Sequence, residues 1–577
     1  MENRYSWKKI YELLKRDKKR FIIAQIVAIL ATLASVPTPL LMPVLVDEIL
    51  LDRPGWILGT IDKILGSGSA FYYTIIVLMA VLFLRFSYVA LNVLQNRIFE
   101  TISKKITYKI RKDVLTHLER VSMAEYELLG SGSVASRLVT DIETLDKFLS
   151  ISISRLLISV LSLIGICVVL LFIHWQLALF ILFLNPMVVV FSTKLSRYVA
   201  KLKREENSAI EIFQKALIET LEVFEQIRAA NKERYFFENI IKKAKEVKEK
   251  SITFSWKSDA ASRLSFLVFV SGFEIFRAAG ILAVAYSDLS IGLMLAIFGY
   301  LWFMMTPIQE ILGIQYAYKN ANVALERINE LLALKKEPKY PHLKNPFNEG
   351  RAIEIRLENV YFGYKENKEI LKDLNMTIPA GKKTAIVGAS GSGKTTLSRI
   401  LVGFYPINSG EVYYNGVSIK EIGLDVVREN VSLVLQTPVL FNDTVRFNIT
   451  LGKKFDEEKL QEALRMAQLE DVVKDMEKGL DTLVGKGGIK LSGGQRQRIA
   501  IARMILQNPK VVIFDESTSA IDIDTEKKLF NSLKDFLKNR TTIIIAHRAS
   551  TIMQADYIYI LDNGKIVKKG KFNELKI

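Results

Sequence analysis

Six apolar runs fill the N-terminal half of the chain, at 21–46, 71–94, 156–173, 177–193, 264–286 and 291–311. Each can cross about 30 Å of hydrocarbon as a helix. No water in a bilayer satisfies an exposed backbone group, so such runs are confined to helices that close their own hydrogen bonds. An even number of crossings returns both termini to one side. Only His174-Trp-Gln176 separates the third and fourth runs, and only Ser287-Asp-Leu-Ser290 the fifth and sixth, so both connections are tight turns. The connections after the second and fourth runs are charged, helical in pattern and about sixty to seventy residues long, enough at about 1.5 Å per residue to project tens of ångströms and return.

Lys and Arg exceed Asp and Glu by 18. Nucleic acid is one reading of such an excess, but the cations concentrate beside the apolar runs, at Lys8 to Arg20, Lys104 to Lys112 and 201–250. That distribution orients the protein with these segments in the cytoplasm. A soluble protein acting on nucleic acid cannot accommodate six apolar spans. Residues 1–20 form an amphipathic, basic segment that reads as an interfacial elbow helix rather than a cleaved signal. Cys167 is the single cysteine and lies in an apolar run, which excludes an intramolecular disulfide and suggests neither a thiol catalyst nor a cysteine metal site. Pro37, Pro39 and Pro43 in the first span, Pro186 in the fourth, and Gly299 and Pro307 in the sixth can each kink their helix.

The pattern changes after residue 333. Pro338, Pro341 and Pro346 mark 334–351 as a linker, and 352–577 alternates short β-rich runs with helices. Strands are expected at 353–360, 383–387, 431–435, 511–514 and 541–546, and a succession of strand, Gly-rich turn and helix implies a parallel sheet with crossover helices. Gly388-Ala-Ser-Gly-Ser-Gly-Lys394-Thr395 stands at such a junction. Its glycines let successive N–H groups face an anion at a helix N-terminus, Lys394 reaches the outer phosphates, and the Thr395 hydroxyl ligates Mg²⁺. Asp515 ends an apolar strand as a Mg²⁺ group, and Glu516 is placed as general base toward the attacking water.

Between these two motifs, Leu491-Ser-Gly-Gly-Gln-Arg-Gln-Arg498 resembles the signature of ATP-binding-cassette ATPases, and six spans followed by one cassette resemble the half-transporters of the type IV exporter family. The resemblance implies an α-helical membrane domain with six transmembrane helices over 21–333 and an α/β P-loop ATPase domain over 352–577. It assigns ATP to Tyr364, which stacks on adenine, to Gly388, Ala389, Ser390, Gly391, Ser392, Gly393, Lys394, Thr395 and Thr396, to Gln436, and to Ser492, Gly493, Gly494 and Gln495. The last four serve the γ-phosphate on a partner cassette. It assigns Mg²⁺ to Thr395, Gln436 and Asp515, catalysis to Glu516 and the switch residue His547, and communication between sites to Ser519-Ala-Ile-Asp522.

Retention of Lys394, Ser492, Glu516 and His547 in one chain favours a homodimer with two active sites over a heterodimer. Lys486 stands where the family usually has Glu in a loop facing the helical tips. Coupling segments match best at 122–128, with Tyr126 as anchor, and at 231–237, with Tyr235, Phe236 and Phe237. Within the membrane, Arg85, Glu274 and Arg277 are candidate cavity residues, with Glu274 expected to pair one or both arginines. The expected activity is ATP-driven export or flipping of an amphipathic substrate (a lipid, lipid-linked glycan, hydrophobic drug or peptide) across the plasma membrane, or the inner membrane of a bacterium, with both termini and the ATPase cytoplasmic. The alternative is an ATP-gated channel or regulatory membrane ATPase, which the intact Glu516 and His547 disfavour.

Overall fold

The computed structural model of the protein describes residues 4–53, 55–350, 352–364, 369–518, 520–545 and 552–575. Two compact units divide the chain: Met1–Val114 with Ser136–Glu330, and Leu115–Ala135 with Leu331–Ile577.

The first unit is helical. Its main helices are α1 (Trp7–Arg16), α2 (Lys18–Ser35) and α3 (Ala70–Leu118). After α4 (Met123–Leu129), which belongs to the second unit, come α5 (Ile153–Ile173), α6 (Trp175–Glu222), α7 (Glu233–Tyr286) and α8 (Ile291–Ala333). Five helical stretches among the described residues have the length and hydropathy of a membrane crossing: Lys18–Leu50, Ala70–Leu118, Ser131–Ile173, Glu233–Tyr286 and Ile291–Ala333. The run at 177–193 falls in α6, which is not among the five.

Proline shapes the first crossing as expected. The α-ladder of α2 stops at Ser35, and Pro37, Pro39 and Pro43 carry the chain through a 3₁₀ turn at Thr38–Leu40 into a π-helical stretch at Val44–Leu50, because a ring without an N–H cannot continue the i→i−4 pattern. This irregular segment lies against α8. The Tyr300 hydroxyl donates to the Val36 carbonyl at 2.6 Å, and Asp47 accepts from the Ser290 hydroxyl and, at 2.9 Å, from the Gly292 N–H at the start of α8. A side chain at Gly292 would collide with Asp47 and the Pro43 backbone. Large apolar side chains such as Phe71, Phe83 and Phe86 are exposed along α3, as a bilayer or another subunit requires of an apolar helix that the chain itself leaves bare.

Helices α6 and α7 pack along much of their length and continue well past their apolar runs. Polar bonds hold their extensions together: Lys250–Glu205 at 2.9 Å and Ser251–Glu206 at 2.7 Å. The tip is closed by Phe224–Ala229, and its aromatics meet one another. Phe224 packs edge-on to Phe237 and Tyr235 to Phe236, while Tyr235 stays exposed.

The second unit holds two sheets. The strands are β1 (Ile355–Phe362), β2 (Leu371–Ile378), β3 (Lys383–Val387), β4 (Ser409–Tyr414), β5 (Val417–Ser418), β6 (Val431–Val434), β7 (Val511–Asp515), β8 (Thr541–Ile545), β9 (Tyr557–Asp562) and β10 (Lys565–Gly570). One sheet runs β10-β9-β3-β8-β7-β6, parallel from β9 through β6; the other runs β2-β1-β4-β5 and is antiparallel. The first expected strand therefore leaves the parallel sheet and joins a separate one. Alternation splits the central strands between two cores. Val511, Ile513, Ile543, Ile545 and Ile386 face the antiparallel sheet, whereas Val512, Phe514, Ile544 and Ala385 face the helices on the other side. The helices named below in this unit are α9 (Lys394–Leu401) and α10 (Gly493–Gln507).

Candidate nucleotide site

The loop between β3 and α9 is wound tightly. Gly393 caps α9 at φ +105°, and a Cβ there would lie 2.8 Å from the Leu371 side chain. A Cβ on Gly388 would fall 2.1 Å from the Leu561 carbonyl oxygen, so only glycine permits this approach. The Lys394 side chain is buried, with Nζ donating to the Gly388 and Ala389 carbonyls at 2.9 Å each. Its charge thus lies across the mouth of the loop. The Ser392 hydroxyl is buried with no hydrogen-bond partner among the described residues, while Ala389, Ser390, Gly391 and Thr395 are exposed. An unpartnered hydroxyl, an ammonium held only by neutral carbonyls, and a helix N-terminus together fit a phosphate chain.

Asp515, at the end of β7, is 3 % exposed and accepts from the Ser398 hydroxyl of α9 at 3.1 Å. Burial pushes its carboxyl above the usual range; the Ser398 bond opposes this and the neighbouring Glu516 charge adds to it. A carboxylate so placed gains from a cation, and Thr395, Asp515 and the Gln436 amide supply the hard oxygen donors that suit Mg²⁺. Glu516 has φ +49°, an uncommon conformation for a non-glycine residue. Its Oε2 accepts from Gln436 Nε2 at 2.7 Å.

Ser492 is the N-cap of α10. Its hydroxyl accepts from the Gln495 N–H at 3.2 Å, and the Gln495 side chain accepts from the Ser492 N–H at 2.8 Å. Cβ atoms on Gly493 and Gly494 would stand 3.1 Å from Ala520, so the helix start and that loop approach closely. Tyr364 is half exposed, edge-on to Phe362 and Tyr405, with its hydroxyl 3.4 Å from that of Thr396. Asp522 accepts from the Thr525 N–H and caps the following helix, which holds its carboxyl below the usual range. His547 and Ser519 lie outside the described residues, as does the side chain of Lys486.

Two features of this unit were not anticipated. Gln497, 1 % exposed, donates through Nε2 to the Gln436 carbonyl at 2.9 Å and accepts through Oε1 from the Ala520 N–H at 3.2 Å. On α4, within the segment expected at 122–128, Glu127 accepts from the Tyr405 hydroxyl at 2.7 Å and from Arg399 of α9 at 3.4 Å, while Tyr126 is partly exposed.

In the first unit Glu274 and Arg277 form an ion pair at 2.5 Å, and Arg85 is exposed with no ion pair among the described residues. A cavity of about 600 Å³ opens between α6, α7 and α8, and none of these three residues lines it. Its wall combines Ser258, Ser262 and Ser265, spaced along one face of α7, with Phe269, Met305 and Ile308.

Comparison with known proteins agrees with this division. Residues 371–519 match the ABC transporter family, and residues 21–308 the ABC transporter transmembrane region. The chain is 31 % identical to the multidrug resistance-like ATP-binding protein MdlB of Buchnera aphidicola subsp. Schizaphis graminum over 97 % of its own length and 93 % of that protein. It is 31 % identical to the ATP-dependent lipid A-core flippase of Legionella pneumophila strain Paris over 82 % and 80 %. Its fold matches a bacterial Atm1-family ABC exporter solved with ATP bound, at a TM-score of 0.79 and 24 % identity over 97 % and 96 % of the two chains. The chain belongs to the ATP-binding-cassette transporters, as a multi-pass half-transporter of the type IV exporter class that fuses one helical membrane domain to one nucleotide-binding ATPase and couples ATP hydrolysis to transport.

Proposed function

We propose that the protein works as a homodimer in the plasma membrane, with six spans per subunit, both termini and the ATPase in the cytoplasm, and an amphipathic substrate moved outward or between leaflets. The relatives named as a flippase and as multidrug resistance-like support that substrate class. So does a cavity wall that mixes serine hydroxyls with phenylalanine, methionine and isoleucine.

In this reading the N–H groups of the 388–393 loop and Lys394 hold the phosphates, Tyr364 stacks on adenine, and Ser492 to Gln495 complete the site of the partner subunit. Thr395, Asp515 and Gln436 hold Mg²⁺, which neutralises phosphate charge when bound. Glu516 accepts the proton of the attacking water, held in aim by Gln436, with His547 assigned by the resemblance as the switch residue that assists it. Products lose the charge arrangement that keeps two cassettes together, so the subunits separate and the spans return to the inward-facing state.

The observation that carries this reading is the meeting of β3, β7 and α9 around one point, where Lys394, Asp515 and the Gln436–Glu516 pair converge. Glu516→Gln tests it. The variant is expected to bind ATP with unchanged affinity, to hydrolyse it about a thousandfold more slowly as loss of a general base implies, and to accumulate as a closed dimer. Normal turnover would reject Glu516 as the base.

A further inference from the structure

We infer that Gln497 is a positioning residue that ties the two nucleotide sites of the dimer to each other. It is the seventh residue of Leu491-Ser-Gly-Gly-Gln-Arg-Gln497, just beyond the residues that address the partner's phosphate, and on an exposed helix face a glutamine there would be an ordinary polar residue. Here it is buried, and both ends of its amide are engaged by backbone.

The orientation of that amide is fixed by its partners. A carbonyl can only accept and an N–H can only donate, so Nε2 must face Gln436 and Oε1 must face Ala520. Gln436 in turn bonds Glu516 through its side chain. One side chain on α10 therefore links three parts of the cassette: the helix start bearing Ser492, the residue that holds Glu516, and the loop at Ala520. The glycines at 493 and 494 let the start of α10 approach Ala520 closely enough that a Cβ on either would crowd it at 3.1 Å.

The consequence rests on the homodimer reading above. Gln436 and Glu516 serve the nucleotide of their own subunit, whereas Ser492 and the first turn of α10 serve that of the partner. Gln497 joins these two duties through buried hydrogen bonds, so a change at one nucleotide is passed to the helix that contacts the other. Truncating the link disturbs both sites even when it is removed from one subunit.

Heterodimers purified through two different tags test this. Gln497→Met keeps the length and volume of the side chain and removes both bonds. It is placed in one subunit, and Glu516→Gln in the same or the opposite subunit leaves one site to report. Turnover is expected to fall about tenfold in both arrangements relative to Glu516→Gln alone, the loss expected of two buried hydrogen bonds. In nucleotide-free homodimers, the amide of Ala520 is expected to exchange about tenfold faster with solvent, and the melting temperature to fall slightly because the Gln436 carbonyl and the Ala520 N–H lose a buried partner. A fall confined to one arrangement, or unaltered Ala520 exchange, overturns the link. Gln497→Glu is the second variant: it keeps the acceptor for Ala520 and loses the donor to Gln436, so Ala520 protection should survive while turnover still falls. Ser492→Arg in the same heterodimers checks the dimer reading separately, because it must silence the partner's site and spare its own.

Discussion

The role proposed for Asp515 as a Mg²⁺ group works against stability. In the nucleotide-free protein its carboxyl is buried beside Glu516 and its pKa is raised. The unfolded chain releases this proton at lower pH than the folded one, so the folded state binds more protons in the window between the two values. Stability from this group falls as pH rises through that window and is level above it. Asp515→Asn removes the charge, and the variant is expected to be more stable than the parent at pH 7.5 by about 1 kcal/mol, with a smaller difference near pH 4. It should also lose Mg²⁺-dependent hydrolysis. Melting of both proteins without nucleotide across this range checks the sign, and a variant less stable than the parent at neutral pH refutes it. Gly393 makes a different demand. Gly393→Ala forces a side chain onto φ +105° and against Leu371, a strain of about 1–3 kcal/mol that only movement of the loop can relieve. ATP affinity, measured by calorimetry, is expected to fall at least about tenfold with the cassette still folded.

Helices α4 and α9 meet through the Glu127, Arg399 and Tyr405 side chains, although Glu127 and Arg399 lie 272 residues apart in the chain. The Tyr405 ring also stacks on Phe362 and stands edge-on to Tyr364, so the segment expected to transmit coupling shares a contact with the residue expected to hold adenine. Arg399 and Glu127 are each about one third exposed, which keeps their ion pair weak, near 1 kcal/mol or less. The Tyr405 hydroxyl is better placed. Burial and its bond to Glu127 hold its pKa well above the ordinary value, so it stays a donor across the physiological range. Tyr405→Phe keeps the stack and deletes that bond. A non-hydrolysable ATP analogue is expected to slow hydrogen exchange in α4 of the parent protein and to slow it much less in this variant, at similar nucleotide affinity. Equal protection in both removes α4 from the relay. Spacing in the sequence exposed the phosphate loop, the parallel strands and the apolar runs, because each is written within about twenty consecutive residues. The β1-β2-β4-β5 sheet, the Glu127 cluster and Gln497 depend on partners far away in the chain. Their residues taken alone read as ordinary strand, surface charge and polar helix face.

Most of the apolar surface of α3 is bare within one chain, and the residues that cap the start of α10 find no phosphate to contact in their own subunit's loop according to the reading above. Two inactive variants can show whether a second subunit completes the site. Lys394→Ala removes the ammonium to which the proposed reading assigns the phosphates and is expected to silence both sites of its homodimer. Ser492→Arg places a bulky cation on the cap of α10 and should silence both sites of its own homodimer by spoiling what each subunit offers the other. A mixed dimer with one variant in each subunit gathers both defects into a single site. The other site then combines an intact 388–395 loop from the Ser492→Arg subunit with an intact α10 cap from the Lys394→Ala subunit. Turnover should therefore reappear on mixing two dead proteins during assembly, to roughly half of the parental rate per mixed dimer if the intact site fires unaided, and to less if the two sites must fire together. Subunits that work alone, or sites built within one chain, would leave the mixture as inactive as its components.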